Sequence, residues 1–319
     1  MTDTQETRSE PNWERKVLER IALEAIAEQR RRRRWGIFFK LLGFIYLGLF
    51  LALFIDWGAS AKKVAEGVRH TALVELSGVI QAEGQASAEH ITRALQSAFE
   101  DKGTQGVILR INSPGGSPVQ SGIINDEIRR LRQKYPNTPL YAVIEDICAS
   151  GGYYVAVAAD QIFVNKASIV GSIGVLMDGF GFTGTMDKLG VERRLLTAGE
   201  NKGFLDPFSP QEPAHKQHAQ LLLNDVHKQF IDVVRKGRGK RLKESPELFS
   251  GLMWTGSRSI ELGLADALGS VEYVAREVIK AEEIRDYTIK PSLTERLARQ
   301  FGTDMAEGLA RAFTRIQLR

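Results

Sequence analysis

Cysteine is almost absent. The 319 residues contain one, Cys148, which excludes an intramolecular disulfide and leaves stability to packing. Histidine is scarce at five, and no Cys/His cluster has the spacing of a zinc site. A general excess of positive charge is also missing, although the net charge of +4 and a pI near 9.1 suggest one. Arg30 to Arg34 supply five positive charges, and without them the formal net falls to −1. The basicity is therefore local, and a nucleic-acid partner is not expected of the folded body. Long apolar runs are limited to one, near the amino end.

That run, Trp35 to Ile55, carries a single charge, Lys40, close enough to its start for the stem to snorkel. About 20 apolar residues span a bilayer, so residues 35–57 are expected to form a transmembrane helix. A buried core helix rarely follows five arginines. A signal peptide would start nearer Met1, although Ala59-Ser60-Ala61 is a weak imitation of a cleavage site. The arginines keep residues 1–34 cytoplasmic and place the rest outside, in the periplasm of a bacterium with two membranes. Within that first segment Val17, Leu18, Ile21, Ala22, Ala25 and Ile26 recur at helical spacing. Residues 58–70 read as a linker, 71–285 as the folded body, and 286–319 as a basic amphipathic helical segment that packs on the body, on a neighbouring subunit or on a membrane surface.

In the body, strand-like and helix-like segments alternate. Strands are expected at 71–80, 106–111, 140–145, 161–164 and 192–196. Helices are expected after Ser87, as its N-cap, over 90–99, and over 120–134, 151–160, 211–236 and 271–283. Such alternation predicts an α/β fold with a mostly parallel sheet covered on both faces.

Two glycine-rich stretches follow strands and should open on the same sheet edge, where ligands bind in α/β folds. One is Asn112-Ser-Pro-Gly-Gly-Ser117, which lacks the phosphate-cradling patterns. The other, Asp146-Ile-Cys-Ala-Ser-Gly-Gly152, sets Ser150 between a strand and an Ala-rich helix, beside amides that no intrahelical carbonyl satisfies. Ser150 either caps that helix or is a nucleophile with an oxyanion site at hand. A nucleophilic serine needs a base. His70 falls in the linker, His90 on an amphipathic helix, and His215, His218 and His227 along one polar helix, all in surface-like contexts. A lysine can serve instead when burial lowers its pKa.

Asn112-Ser-Pro-Gly-Gly, Ala149-Ser-Gly-Gly-Tyr-Tyr154, Gly171-Ser-Ile-Gly-Val175 and Gly199-Glu-Asn-Lys-Gly-Phe-Leu-Asp-Pro-Phe-Ser-Pro210 together resemble the signal peptide peptidase A family of membrane-anchored serine-lysine proteases. The likeness runs from about Thr71 to Glu283. It implies a caseinolytic protease/crotonase-like fold with Ser150 as nucleophile and Lys202 as general base. It further implies oxyanion donors at Gly116 and Gly151, with Gly115 adjacent, and Ser172 as the hydroxyl that holds the lysine amine. No metal or other cofactor is implied. The expected substrates are cleaved signal peptides and other extended apolar peptides, and the expected assembly is a homo-oligomer, an octamer by analogy, whose neighbours share the substrate groove. Alternatives are a general quality-control protease, a crotonase-type enzyme acting on acyl-coenzyme A, and a non-catalytic membrane scaffold of the same fold.

Overall fold

The computed structural model describes residues 13–54 and 68–290. Two units separate, residues 1–64 and 65–319. In the first, α1 (Trp13–Phe54) is one helix of 42 residues, about 63 Å long at 1.5 Å per residue. It runs through the arginine block without a break, so the expected boundary at residue 34 is not a break in the helix. Its large apolar side chains are exposed, Phe44 at 72% and Tyr46 at 74% among them. Among the described residues no helix is long and apolar enough to cross a membrane. The expected span ends at residue 57, outside the described residues, as do most of the linker and residues 291–319 of the carboxyl segment.

The second unit alternates as expected at first: β1 (His70–Ser77), α2 (Ala88–Glu100), β2 (Thr104–Ser113), α3 (Pro118–Lys134), β3 (Leu140–Ala149), α4 (Gly151–Ala156) and β4 (Gln161–Val164). Then come β5 (Ile169–Gly171), α5 (Thr183–Leu189), α6 (Pro213–Arg238), β6 (Met253–Thr255), α7 (Gly256–Glu261) and β7 (Ala267–Leu268). The chain closes with α8 (Val271–Tyr273), a π-helical turn over Val274–Ile279, and β8 (Ile284–Asp286). Helix starts follow local chemistry. Ser87 Oγ accepts the His90 N–H, and Ser117 Oγ accepts the Gln120 N–H ahead of Pro118.

The strands lie in the order β6-β5-β3-β2-β1-β8, with β4 beside the first part of β3 and β7 beside β4. Every pairing is parallel except β5 with β6. Neighbouring residues enter opposite cores: Ala72, Val74, Leu76, Val107, Leu109 and Ile111 on one face, Leu73, Ile108, Val143 and Phe163 on the other. Burial on both faces explains the nearly continuous apolar strands. Between β2 and β3 the register slips. Ile111 pairs with Ile144 and Ser113 with Cys148, so Glu145, Asp146 and Ile147 all stand opposite Asn112. Past this bulge β3 exchanges β4 for β5 as its neighbour.

Several expectations need correction. Residues 192–196 form no strand; they are exposed, Leu196 at 97%, and pair with no strand among the described residues. The helix expected over 271–283 ends at Ile279, and the chain continues into β8, inside which the expected body boundary at 285 falls. His70 does not lie in a linker. It begins β1 fully buried, with Nδ1 2.9 Å from the Val68 carbonyl and Nε2 2.9 Å from the Tyr287 hydroxyl. Tyr287 donates to Asp101 and so holds that carboxyl below its usual range.

Arg238 at the end of α6 is 2% exposed and donates twice to Asp266, at 2.8 and 2.9 Å, and to the Gly263 carbonyl. Burial pushes the Asp266 carboxyl upward, but Arg238, the Ile162 N–H and Arg241 together hold it below its ordinary value. Its stabilisation is therefore present above the unfolded pKa and lost as pH falls through the folded one. Asp266→Asn should cost about 3 kcal/mol in urea unfolding at neutral pH, since it strands a buried guanidinium. The gap from wild type should close as the pH is lowered through the acidic range.

Candidate active site

Ser150 occupies the single residue between β3 and α4. Its backbone has φ 50° and ψ −122°, outside the ordinary regions for an L-residue, at a cost of about 1–3 kcal/mol. The N–H donates to the Gly171 carbonyl at 2.9 Å and the carbonyl accepts from the Tyr154 N–H at 3.0 Å, so both sides of the turn are fixed. The hydroxyl makes no capping bond to α4. Of the two readings the residues allowed, the cap is therefore wrong. A strained strand-to-helix turn that presents an unengaged hydroxyl matches the geometry of a nucleophile elbow.

The first glycine loop lies directly against this turn. A Cβ on Gly115 would stand 2.7 Å from the Gly151 nitrogen and 2.8 Å from Ser150 Cβ, and one on Gly116 would stand 2.1 Å from the Ile80 carbonyl oxygen. Both have positive φ, 101° and 146°. Only glycine fits either place. The amides of Gly116 and Gly151 have no hydrogen-bond partner among the described residues, and a Cβ on Gly151 would lie 3.2 Å from the Gly116 nitrogen. Two idle donors thus sit side by side next to an idle hydroxyl. Donors placed in this way can stabilise an oxyanion.

A cavity of about 700 Å³ opens on them, lined by Gly116, Ser150, Gly151 and Ser172 together with apolar walls from Val119, Tyr154, Leu176, Val226 and Phe230. The Tyr154 and Phe230 rings are 5.2 Å apart, and burial raises the Tyr154 pKa. Ser172 follows β5 with φ 51°, its N–H held by the Leu252 carbonyl at 2.8 Å. Four of the five expected site residues therefore meet. Lys202 does not join them within the subunit. It is exposed in a turn whose N–H bonds to the Gly199 carbonyl, and it is absent from the cavity lining.

Residues 176–202, which lead to that turn, are mostly exposed, with Phe180 at 81% and Leu189 at 72%. Helix α6, expected to be a polar surface helix, instead buries His215, 3.2 Å from the Asn201 side chain, and Phe230, which is 4% exposed. His227 on the same helix reaches the Ile173 carbonyl at 3.2 Å, next to Ser172. Val226, Phe230 and Val234 at spacings of four were the available sign that one face of α6 packs inward.

A strained serine with two idle amides at a half-open cavity is, in this α/β fold, an arrangement that suits a serine nucleophile. The chain belongs to peptidase family S49, whose pattern matches residues 132–285 and so includes Ser150, Ser172 and Lys202 but not Gly116. Among curated relatives, a protein named Na(+)/H(+) antiporter NhaA in Brucella abortus is 42% identical over 64% of this chain, which spans only 28% of that protein. A protein named for the signal peptide peptidase SppA in Enterococcus faecium is 29% identical over 74% of this chain and 68% of its own length. A Synechocystis protein named as protease slr0021 is 33% identical over 67% of this chain and 72% of its own.

Gly151→Ala would press its methyl to within 2.5 Å of Ser121 Oγ. Adding Ser121→Ala should restore much of the lost thermal stability. It should not restore any Ser150-dependent activity, because the methyl still crowds the Gly116 amide; the two readouts are a melting curve and a peptidase assay.

Proposed function

We propose that the protein is a serine endopeptidase in which Ser150 attacks a peptide carbonyl and Lys202 is the general base. The observation that carries this reading is the convergence of an unengaged serine hydroxyl and two unengaged amides on one cavity. Lys202 as free amine takes the Ser150 proton as Oγ bonds to the carbonyl carbon, and the oxyanion forms against the Gly116 and Gly151 N–H groups. The resulting ammonium returns the proton to the leaving amine, and water then hydrolyses the acyl-serine by the same route. Ser172 holds the amine.

Because Lys202 lies outside its own cavity at the end of an exposed apolar stretch, the lysine comes from a neighbouring copy in a homo-oligomeric ring. Exposed Leu176, Phe180, Leu189 and Leu196 support that assembly, since such a surface is seldom left uncovered. The apolar cavity walls favour extended apolar peptides, cleaved signal peptides among them. The exposed apolar residues of α1 beside five arginines support a bilayer anchor over residues 35–57, with the catalytic body on the far side from the amino terminus.

Full-length protein in detergent should hydrolyse an unstructured apolar peptide, and Ser150→Ala and Lys202→Ala should each abolish that activity. Mixed and co-assembled, the two dead variants should regain about a quarter of wild-type activity, the random-pairing fraction for a head-to-tail ring. A silent mixture of properly assembled variants would place serine and lysine in one subunit. Activity that survives Ser150→Ala would overturn the serine assignment itself.

A further inference from the structure

Ser113 is one of the few fully buried polar residues, and the catalytic scheme above gives it no part. Its hydroxyl has two partners. It donates to the Gly78 carbonyl at 2.6 Å and accepts the Gly115 N–H at 3.1 Å. On its other side its backbone carbonyl closely faces Gly152, where an added Cβ would stand 3.1 Å from that oxygen. The residue thus touches the turn after β1, the Gly115–Gly116 loop and the first turn of α4.

The loop needs such a tie. Glycines at φ 101° and 146° can adopt many other conformations, so the peptide planes around them are not fixed by local sterics. Two restraints act on successive planes. The Gly115 carbonyl accepts the Ile80 N–H at 2.8 Å, and because a trans peptide sets its C=O and N–H in opposite directions, the Gly116 N–H is turned away from Ile80. Among the described residues the plane before it has one hydrogen-bond partner, Ser113, through the Gly115 N–H. Ser113 also occupies the one amide of this pair that would otherwise compete for an anion, and the Gly116 N–H remains free.

We propose that Ser113 is a positioning residue for the oxyanion site: its hydroxyl locks the Gly115 amide so that the Gly116 amide stays aimed at the carbonyl under attack. The inference rests on the serine-nucleophile reading of Ser150. Without the hydroxyl, the buried Gly115 N–H loses its partner, while the exposed Gly78 carbonyl can turn to water. A rotated loop then relieves that loss at the expense of the oxyanion donor.

The test uses full-length protein and one peptide sequence in two forms, an aldehyde that adds Ser150 Oγ to give a tetrahedral oxyanion, and the matching alcohol that binds without reacting. Ser113→Ala should lower kcat about 10- to 100-fold, short of or equal to the loss of one donor, with KM changed less than about threefold. Aldehyde affinity should fall by a similar factor while alcohol affinity holds. Ser113→Cys, which keeps a weak donor and acceptor, should recover part of both kcat and aldehyde affinity, and it carries the test if the alanine variant does not fold. An unchanged ratio of aldehyde to alcohol affinity in a folded variant overturns the role of Ser113. A wild-type protein that neither hydrolyses peptides nor binds the aldehyde more tightly than the alcohol overturns the Ser150 reading instead.

Discussion

The close approach of two backbones, Gly115 against the Ala149–Gly151 turn, is the constraint on which the site depends. Both segments leave adjacent parallel strands and arrive where no side chain can stand between them. A peptide unit with an unpaired N–H is costly in a dry interior, but here the two unpaired amides open on a cavity where water or a ligand can satisfy them. The strain at Ser150 belongs to the same arrangement. An ordinary backbone there would let the hydroxyl reach the helix amides and be consumed as a cap.

What holds the turn is a buried, hydrogen-bonded surround. Tyr153, fully buried on α4, donates to the Leu264 carbonyl at 2.8 Å, and the neighbouring Gly263 carbonyl is gripped by Arg238. Asn125 on α3 donates to the Tyr154 carbonyl at 2.6 Å. Helix α4 is therefore pinned from two sides by side chains whose own positions are fixed by burial. The strain at its start is sustained by packing at some distance from the cavity.

Much of this was legible in the sequence, for a physical reason. Strands buried on both faces must be apolar throughout, so β1 to β4 announced themselves, and Ser87 and Gln161 fell where expected. Short strands carry no such signal: β5 to β8 have two or three residues each, and neighbours define them more than their own composition does. Histidines misled because exposure was judged from the linear neighbourhood. His70 follows a polar stretch yet opens a core strand, and His215 sits among polar residues but against Asn201 and Phe204. The separation of Lys202 from the serine cavity lay beyond any reading of motif order, since order along a chain does not say whether a loop folds back on its own body.

The slipped register between β2 and β3 has a consequence in the arithmetic of chain length. Three residues of β3 oppose one of β2, an excess of two, and side chains on a strand alternate with a period of two. An even excess preserves parity: Ile144 before the bulge and Cys148 after it enter the same core, while Glu145 and Asp146 between them face solvent. Loss or gain of a single residue here would have to be absorbed within the solvent-facing Glu145–Asp146 bulge to keep Cys148 in the core and Ser150 at the cavity, although every motif would still be present in the sequence.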